Sequence, residues 1–199
     1  MKCMKTIAAV FFMTLLYMNT TAQRIKLDEG NLSPLKNEKA INVEFTYDNM
    51  KVGKYDKEED YIAKKKEEYN KKEASKGDAW AQNWVNDRDA RFEPKFNELF
   101  EKSSDITAGP NKNAKYTLIF KTIFTEPGFN IAVMRKNAEI NAEAWIVETA
   151  NKSNVIAKIS VDRAQGRTFG GYDFDTGGRI AEAYADAGKA LGRFVKNNF

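Results

Sequence analysis

The chain has 199 residues, 42% hydrophobic and 30% charged, with 32 Lys and Arg against 28 Asp and Glu, no histidine and one cysteine. Without histidine there is no Ser–His or Cys–His nucleophile, no imidazole base and no histidine metal ligand. There is also no phosphate loop of the Gly-x-x-x-x-Gly-Lys type and no dinucleotide fingerprint, and no carboxylate pair stands out for glycoside chemistry, so the sequence argues against an enzyme.

Met1-Lys2-Cys3-Met4-Lys5 is a short basic lead, residues 6–18 are apolar, and Thr20-Thr21-Ala22 supplies small residues for cleavage. That is the order of a secretory signal, residues 1–22, ending before Gln23. The run is too short for a membrane span, so the mature chain is expected to carry none. Export would place the protein in the periplasm or on the extracellular side of a Gram-negative envelope. It would remove Cys3 and leave about 177 residues, enough to stand on a hydrophobic core without a disulfide. It would also remove Lys2 and Lys5 and lower the formal charge from +4 to about +2. Neither nucleic acid nor an anionic membrane is therefore implied as a general partner.

Residues 23–40 are polar and aperiodic, with Gly30 and Pro34, and read as a flexible arm. The single α/β domain is expected over 41–199. Residues 41–47 alternate apolar and polar and predict the first strand. Asp56, with Glu59 three residues on, is a capping-box variant opening a charged helix over 57–72, anchored by Tyr61, Ile62 and Tyr69. Its Lys64-Lys65-Lys66 run sits among glutamates at helical distances and reads as an ion-paired face. Gly77-Asp78 restart the chain into a helix carrying Trp80 and Trp84 one turn apart, which serve either as core or as a sugar-stacking platform. Pro94 opposes the preceding turn and predicts a kink or break near Phe92-Glu93, before a further helix with Phe96, Leu99 and Phe100.

Three strands follow. Residues 116–124 put Tyr116, Leu118, Phe120 and Phe124 on one face, with Ile119 and Ile123 on the other. Residues 140–149 align Ile140, Ala142, Ala144 and Ile146, and residues 155–161 align Val155, Ala157, Ile159 and Val161. Asn151-Lys152-Ser153-Asn154 is the expected hairpin turn between them. A glycine-rich loop, 165–178, leads into a helix over 179–196 with Ile180, Tyr184, Ala187, Leu191 and Phe194/Val195 at helical spacing. Beside them Ala181, Ala185, Gly188 and Gly192 form a second stripe. Two glycines in a helix interior cost about 1 kcal/mol each relative to alanine, which close packing would justify.

The expected architecture is α/β of the α+β type: one layered domain in the order β-α-α-β-β-β-α, mainly an antiparallel meander with helices packed on the sheet. Strand 116–124, the hairpin 140–161 and the glycine-rich entry to helix 180–196 resemble the small α/β domain of cell-envelope proteins. Examples are the amino-terminal domain of TolB and the periplasmic domain of the curli-secretion lipoprotein. The chain is also similar to exported proteins of Gram-negative bacteria; unlike the curli-secretion type, it has no cysteine after the apolar run for lipidation. The resemblance implies a non-catalytic module that binds another envelope protein or assembles with itself, with no cofactor. The candidate contact residues are the aromatic loop residues Phe169, Tyr172 and Phe174, and the helix glycines Gly188 and Gly192. The alternative is a carbohydrate or small-ligand module using Trp80 and Trp84. Asp173 and Asp175 resemble part of a calcium loop, but the third alternating position is Gly177, and a helix cap explains Asp175 as well.

Overall fold

The computed structural model describes residues 23–131, 134–167 and 175–199. In chain order the elements are β1 (Arg24–Gly30), β2 (Ala40–Thr46), β3 (Lys51–Val52), α1 (Glu58–Asn70), α2 (Lys76–Asp87), α3 (Glu93–Ser104), β4 (Thr107–Gly109), β5 (Tyr116–Glu126), β6 (Phe129–Asn130), β7 (Arg135–Lys136), β8 (Ala138–Glu148), β9 (Asn151–Gly166) and α4 (Thr176–Asn197). Among the described residues seven strands form one sheet in the order β1-β9-β8-β5-β2-β4, with β3 also on β5, while β6 and β7 make a separate small hairpin. The expected antiparallel meander is β5-β8-β9. β2 joins β5 in parallel, which needs a crossover, and α1, α2 and α3 supply it. The protein is thus a mixed α/β domain of the α+β type, with helices packed on its sheet.

Alternation decides which face is packed. Along β8, Ile140, Ala142, Ala144 and Ile146 are all buried while Glu139, Asn141, Glu143 and Trp145 are half-exposed. Ala157, Ile159 and Val161 do the same on β9. Against this face lie Ile180, Tyr184, Leu191 and Val195 of α4 and Phe96 and Phe100 of α3. Each large side chain fully withdrawn from water contributes about 1.5–3 kcal/mol. The opposite face is only partly covered: Trp145 is half-buried there, with the Lys158 ammonium 5.1 Å from its ring centre.

α4 approaches α3 closely because two of its contact positions, Gly188 and Gly192, carry no side chain. A Cβ on Gly188 would stand 2.3 Å from the Phe96 carbonyl oxygen, and one on Gly192 would stand 2.6 Å from that of Phe100. The glycine stripe is therefore spent inside the fold on α3 and is not an open surface for a partner or a second copy.

Several expectations are corrected. Residues 24–30 are not a loose arm but an edge strand on β9, followed by Leu32 and Leu35, both fully buried. In β5 an irregularity between Thr122 and Phe124 makes Ile123 an extra residue. It flips the phase, so Thr125 rather than Phe124 is buried. The β8–β9 turn is Thr149-Ala150, and Asn151–Asn154 already belong to β9. Asp56 does not cap α1, whose N-cap position is Lys57; it pairs with Lys51 at 2.7 Å instead. Of the kink or break expected near Phe92-Glu93, the break is absent and a helical irregularity is present: a π-type turn, Arg88–Phe92, leads directly into α3, with Pro94 in its first turn. Five-residue spacing there widens the helix to absorb the missing N–H, and the path stays helical.

Candidate functional site

The tryptophan pair divides into two roles. Trp84 is buried, and its indole N–H donates to Glu58 Oε1 at 2.5 Å. The same carboxylate takes Arg88 Nη2 at 2.6 Å on both oxygens, and the Arg88 guanidinium lies 4.1 Å from the centre of the Tyr47 ring. Trp84 is therefore core, locked by a partly buried ion pair. Trp80 is only half-buried. It leans on Trp84 with ring centres 5.5 Å apart, on Tyr61 at 5.7 Å and on Tyr69 at 5.8 Å, and turns the rest of its surface to a cleft.

That cleft, about 420 Å³, lies between α2 with its π-type extension and the N-terminus of α4. Its polar rim is Asn83, Asp87, Arg91 and Asp175. Trp80, Asn83, Asp87 and Arg91 recur at three- and four-residue steps, so one helical face carries them all. Arg91 Nη1 donates to Asp175 Oδ1 at 2.8 Å, its other amino group reaches Asp175 Oδ2, and Asp87 Oδ1 lies 3.6 Å from Nη1. Asp175 also accepts from the Gly178 N–H at 2.9 Å and so caps α4. The Arg91 contact, with the Gly178 N–H, holds the Asp175 carboxyl below its ordinary range. Burial pushes the Asp87 carboxyl up, against the pull of Arg91. Asn83 is exposed and makes no hydrogen bond to the described residues, so its amide offers both a donor and an acceptor.

A second polar group lies deeper. Tyr184 Oη and Thr122 Oγ1 are 2.6 Å apart, and Tyr47 Oη donates to Glu93 Oε1 at 3.2 Å. Burial raises the Tyr47, Tyr184 and Glu93 pKa values. The adjoining void is about 10 Å³, too small for any substrate, so these groups satisfy one another and hold the helices on the sheet.

The remaining residues singled out in the sequence fall elsewhere. Phe169, Tyr172, Phe174 and Asp173 lie outside the described residues. Gly188 and Gly192 face α3. Asp175 is a helix cap and an arginine partner. Sequence reasoning missed Asn83 and Asp87 as site residues, although their step from Trp80 marks the same face. It could not see Asp175 joining them from across the chain.

No protein-family model and no curated protein matches the chain, so the likeness to the TolB and curli-secretion domains finds no support there. Among solved structures, a PelC dodecamer from Paraburkholderia phytofirmans covers 83% of this chain and 97% of its own, with TM-score 0.38 and 9% identity. A variant of that dodecamer gives the same TM-score and identity over 83% and 98%. At that overlap neither fold nor function transfers. No helix among the described residues is long and apolar enough to cross a membrane.

Proposed function

We propose that this chain is an exported, non-catalytic binding module of the cell envelope, and that the Trp80 cleft takes a saccharide or a similar ring-bearing polyol. The observation that carries the reading is the half-open Trp80 ring bordered by Asn83, Asp87, Arg91 and Asp175. Sugar rings present C–H patches that stack on an indole, and hydroxyls that need a mixed rim of donors and acceptors. The rim charges are already paired, which suits a neutral ligand better than an ionic one, because a neutral ligand need not separate Arg91 from Asp175. The first expectation, contact through Gly188 and Gly192, loses its surface to α3, and the loop residues Phe169, Tyr172 and Phe174 that shared that expectation lie outside the described residues.

Titration of the protein with soluble neutral glycans, followed by calorimetry, tests the reading. Trp80→Ala should lower affinity by about tenfold or more, since an aromatic face is worth roughly 1–2 kcal/mol. Asn83→Ala, at an exposed position where the fold has nothing to lose, should weaken binding by about fivefold. Absence of heat with every glycan, or affinity in the Trp80→Ala and Asn83→Ala proteins unchanged from that of the unaltered protein, would refute it.

A further inference from the structure

A groove of about 720 Å³ shares no lining residue, among those described, with the Trp80 cleft. It lies between α1, the turn after β3 and the end of β5, and four rings line it: Tyr55, Tyr61, Phe124 and Phe129. Both sides are fixed by the fold. The Gly53 N–H donates to the Thr125 carbonyl at 2.9 Å and ties the β3 turn to β5. Beyond β5, Arg179, buried in α4, donates from Nε to the Pro127 carbonyl at 3.2 Å and from Nη2 to the Gly128 carbonyl at 3.4 Å. The groove is therefore formed before any ligand arrives, and its volume is that of a small-molecule site.

Two of its polar groups are not spent on the fold. Tyr61 is 8% exposed, with its ring centre 5.7 Å from that of Tyr55 and 5.0 Å from that of Trp84. Its hydroxyl makes no hydrogen bond to the described residues. Among those residues the wholly buried side-chain atoms without a partner are Asn97 Oδ1 and Arg163 Nε. The Tyr61 hydroxyl is not one of them, so it reaches solvent, and it does so through the groove that Tyr61 lines. Burial raises its pKa, so it stays an O–H and can donate. The second group is Lys54, which is exposed, has its ammonium 5.6 Å from the centre of the Tyr55 ring and enters no ion pair with the described residues. The other charges cancel in pairs, Lys65 with Glu68 at 3.4 Å and Lys136 with Glu126 at 2.6 Å. One cation and one donor, both beside Tyr55, are left facing aromatic walls.

That combination selects a ligand. Ring walls favour a flat apolar body. A single unpaired ammonium matches one negative charge, and an O–H donor next to it suits the second oxygen of a carboxylate. A phosphate dianion would find only half its charge answered, and a polyol too few polar partners.

We propose that this groove binds a small organic acid, a monoanion with a flat aromatic or conjugated body, whose carboxylate takes Lys54 and the Tyr61 O–H together while its body lies along Tyr55, Phe124 and Phe129. The site is separate from the Trp80 cleft and stands whether or not that cleft takes a saccharide.

The test titrates the full chain with naphthoate and, in parallel, with its uncharged amide. Amide proton–nitrogen spectra read the Gly53 and Gly128 signals, which are local to the groove whatever residues 1–22 do. Both signals should shift saturably with naphthoate, and the amide should bind several-fold more weakly. Lys54→Ala should raise the Kd about threefold. Tyr61→Phe should raise it about fivefold and leave the melting temperature no lower, because the hydroxyl it removes has no partner in the fold. Asn83→Ala, at the other cleft, should leave naphthoate binding unchanged. No shift at Gly53 and Gly128, equal affinity for acid and amide, an unchanged Kd in both groove variants, or a lowered melting temperature in Tyr61→Phe would each overturn the proposal.

Discussion

Replacing Gly188 by alanine sets two effects against each other, and the structure says which wins. Alanine in a helix interior gains about 0.5–1 kcal/mol over glycine. Here the new methyl would stand 2.3 Å from the Phe96 carbonyl oxygen, 3.0 Å from its carbon and 3.1 Å from its Cα. Ordinary contact is about 3.5 Å, so α3 and α4 would have to part by roughly 1 Å along a contact that buries Phe96 and Phe100. Overpacking of this kind costs about 1–3 kcal/mol, and here the obstacle is backbone and cannot turn aside, so the upper half of the range applies. After the propensity gain the net loss is about 1–2 kcal/mol, an appreciable part of the total of about 5–15 kcal/mol for a domain. The melting temperature should fall by about 3–8 °C. Thermal unfolding followed by far-ultraviolet circular dichroism measures it, with Gly192→Ala expected in the same direction because its Cβ would lie 2.6 Å from the Phe100 carbonyl oxygen. An unchanged or raised midpoint in the Gly188→Ala protein would mean that the helices are not in contact along this stripe.

Glu58→Ala should leave Arg88 and the Trp84 N–H without their shared acceptor. With side chains 13% and 19% exposed for Glu58 and Arg88, the expected loss is about 2–3 kcal/mol, below the figure for a wholly buried pair, and thermal unfolding reads it. Asp175→Asn, which keeps a capping side chain but removes the charge paired with Arg91, should cost about 0.5–1 kcal/mol near neutral pH, the pair being half-exposed. The native carboxyl titrates below its ordinary 3.8, so its contribution is complete above that value and is lost as pH falls through the lowered one. The unfolding curves of the two proteins should therefore converge in acid, whereas Asp87, raised by burial, has the opposite sign and cannot produce that convergence.

What could be read in advance was whatever a short window contains. Ile140, Ala142, Ala144 and Ile146 declare a face in seven residues, and the spacing of Ile180, Tyr184 and Leu191 declares a helix. The glycines at 188 and 192 declared a close neighbour without saying which. Phe124 was misplaced because the extra residue at Ile123 carries no local mark; a bulge is decided by the partner strand. β1 escaped notice because an edge strand needs one apolar face only, and here that face is Ile25 and Leu27. The cleft was half legible: Trp80 was evident, but its rim closes only when Asp175 meets Arg91 from 84 positions away, and no helical or strand period spans that distance.

The pairing of β1 with β9, in which Arg24 sits opposite Asp162, also sets an order of events. A ribosome, or a translocation pore, delivers residues 24–30 long before their partner exists, and the loop to be closed is nearly the whole domain. Such distant pairing is slow to form. β1, the first strand among the described residues, is thus among the last to lock and, lying at the rim with one neighbour, among the first to peel away.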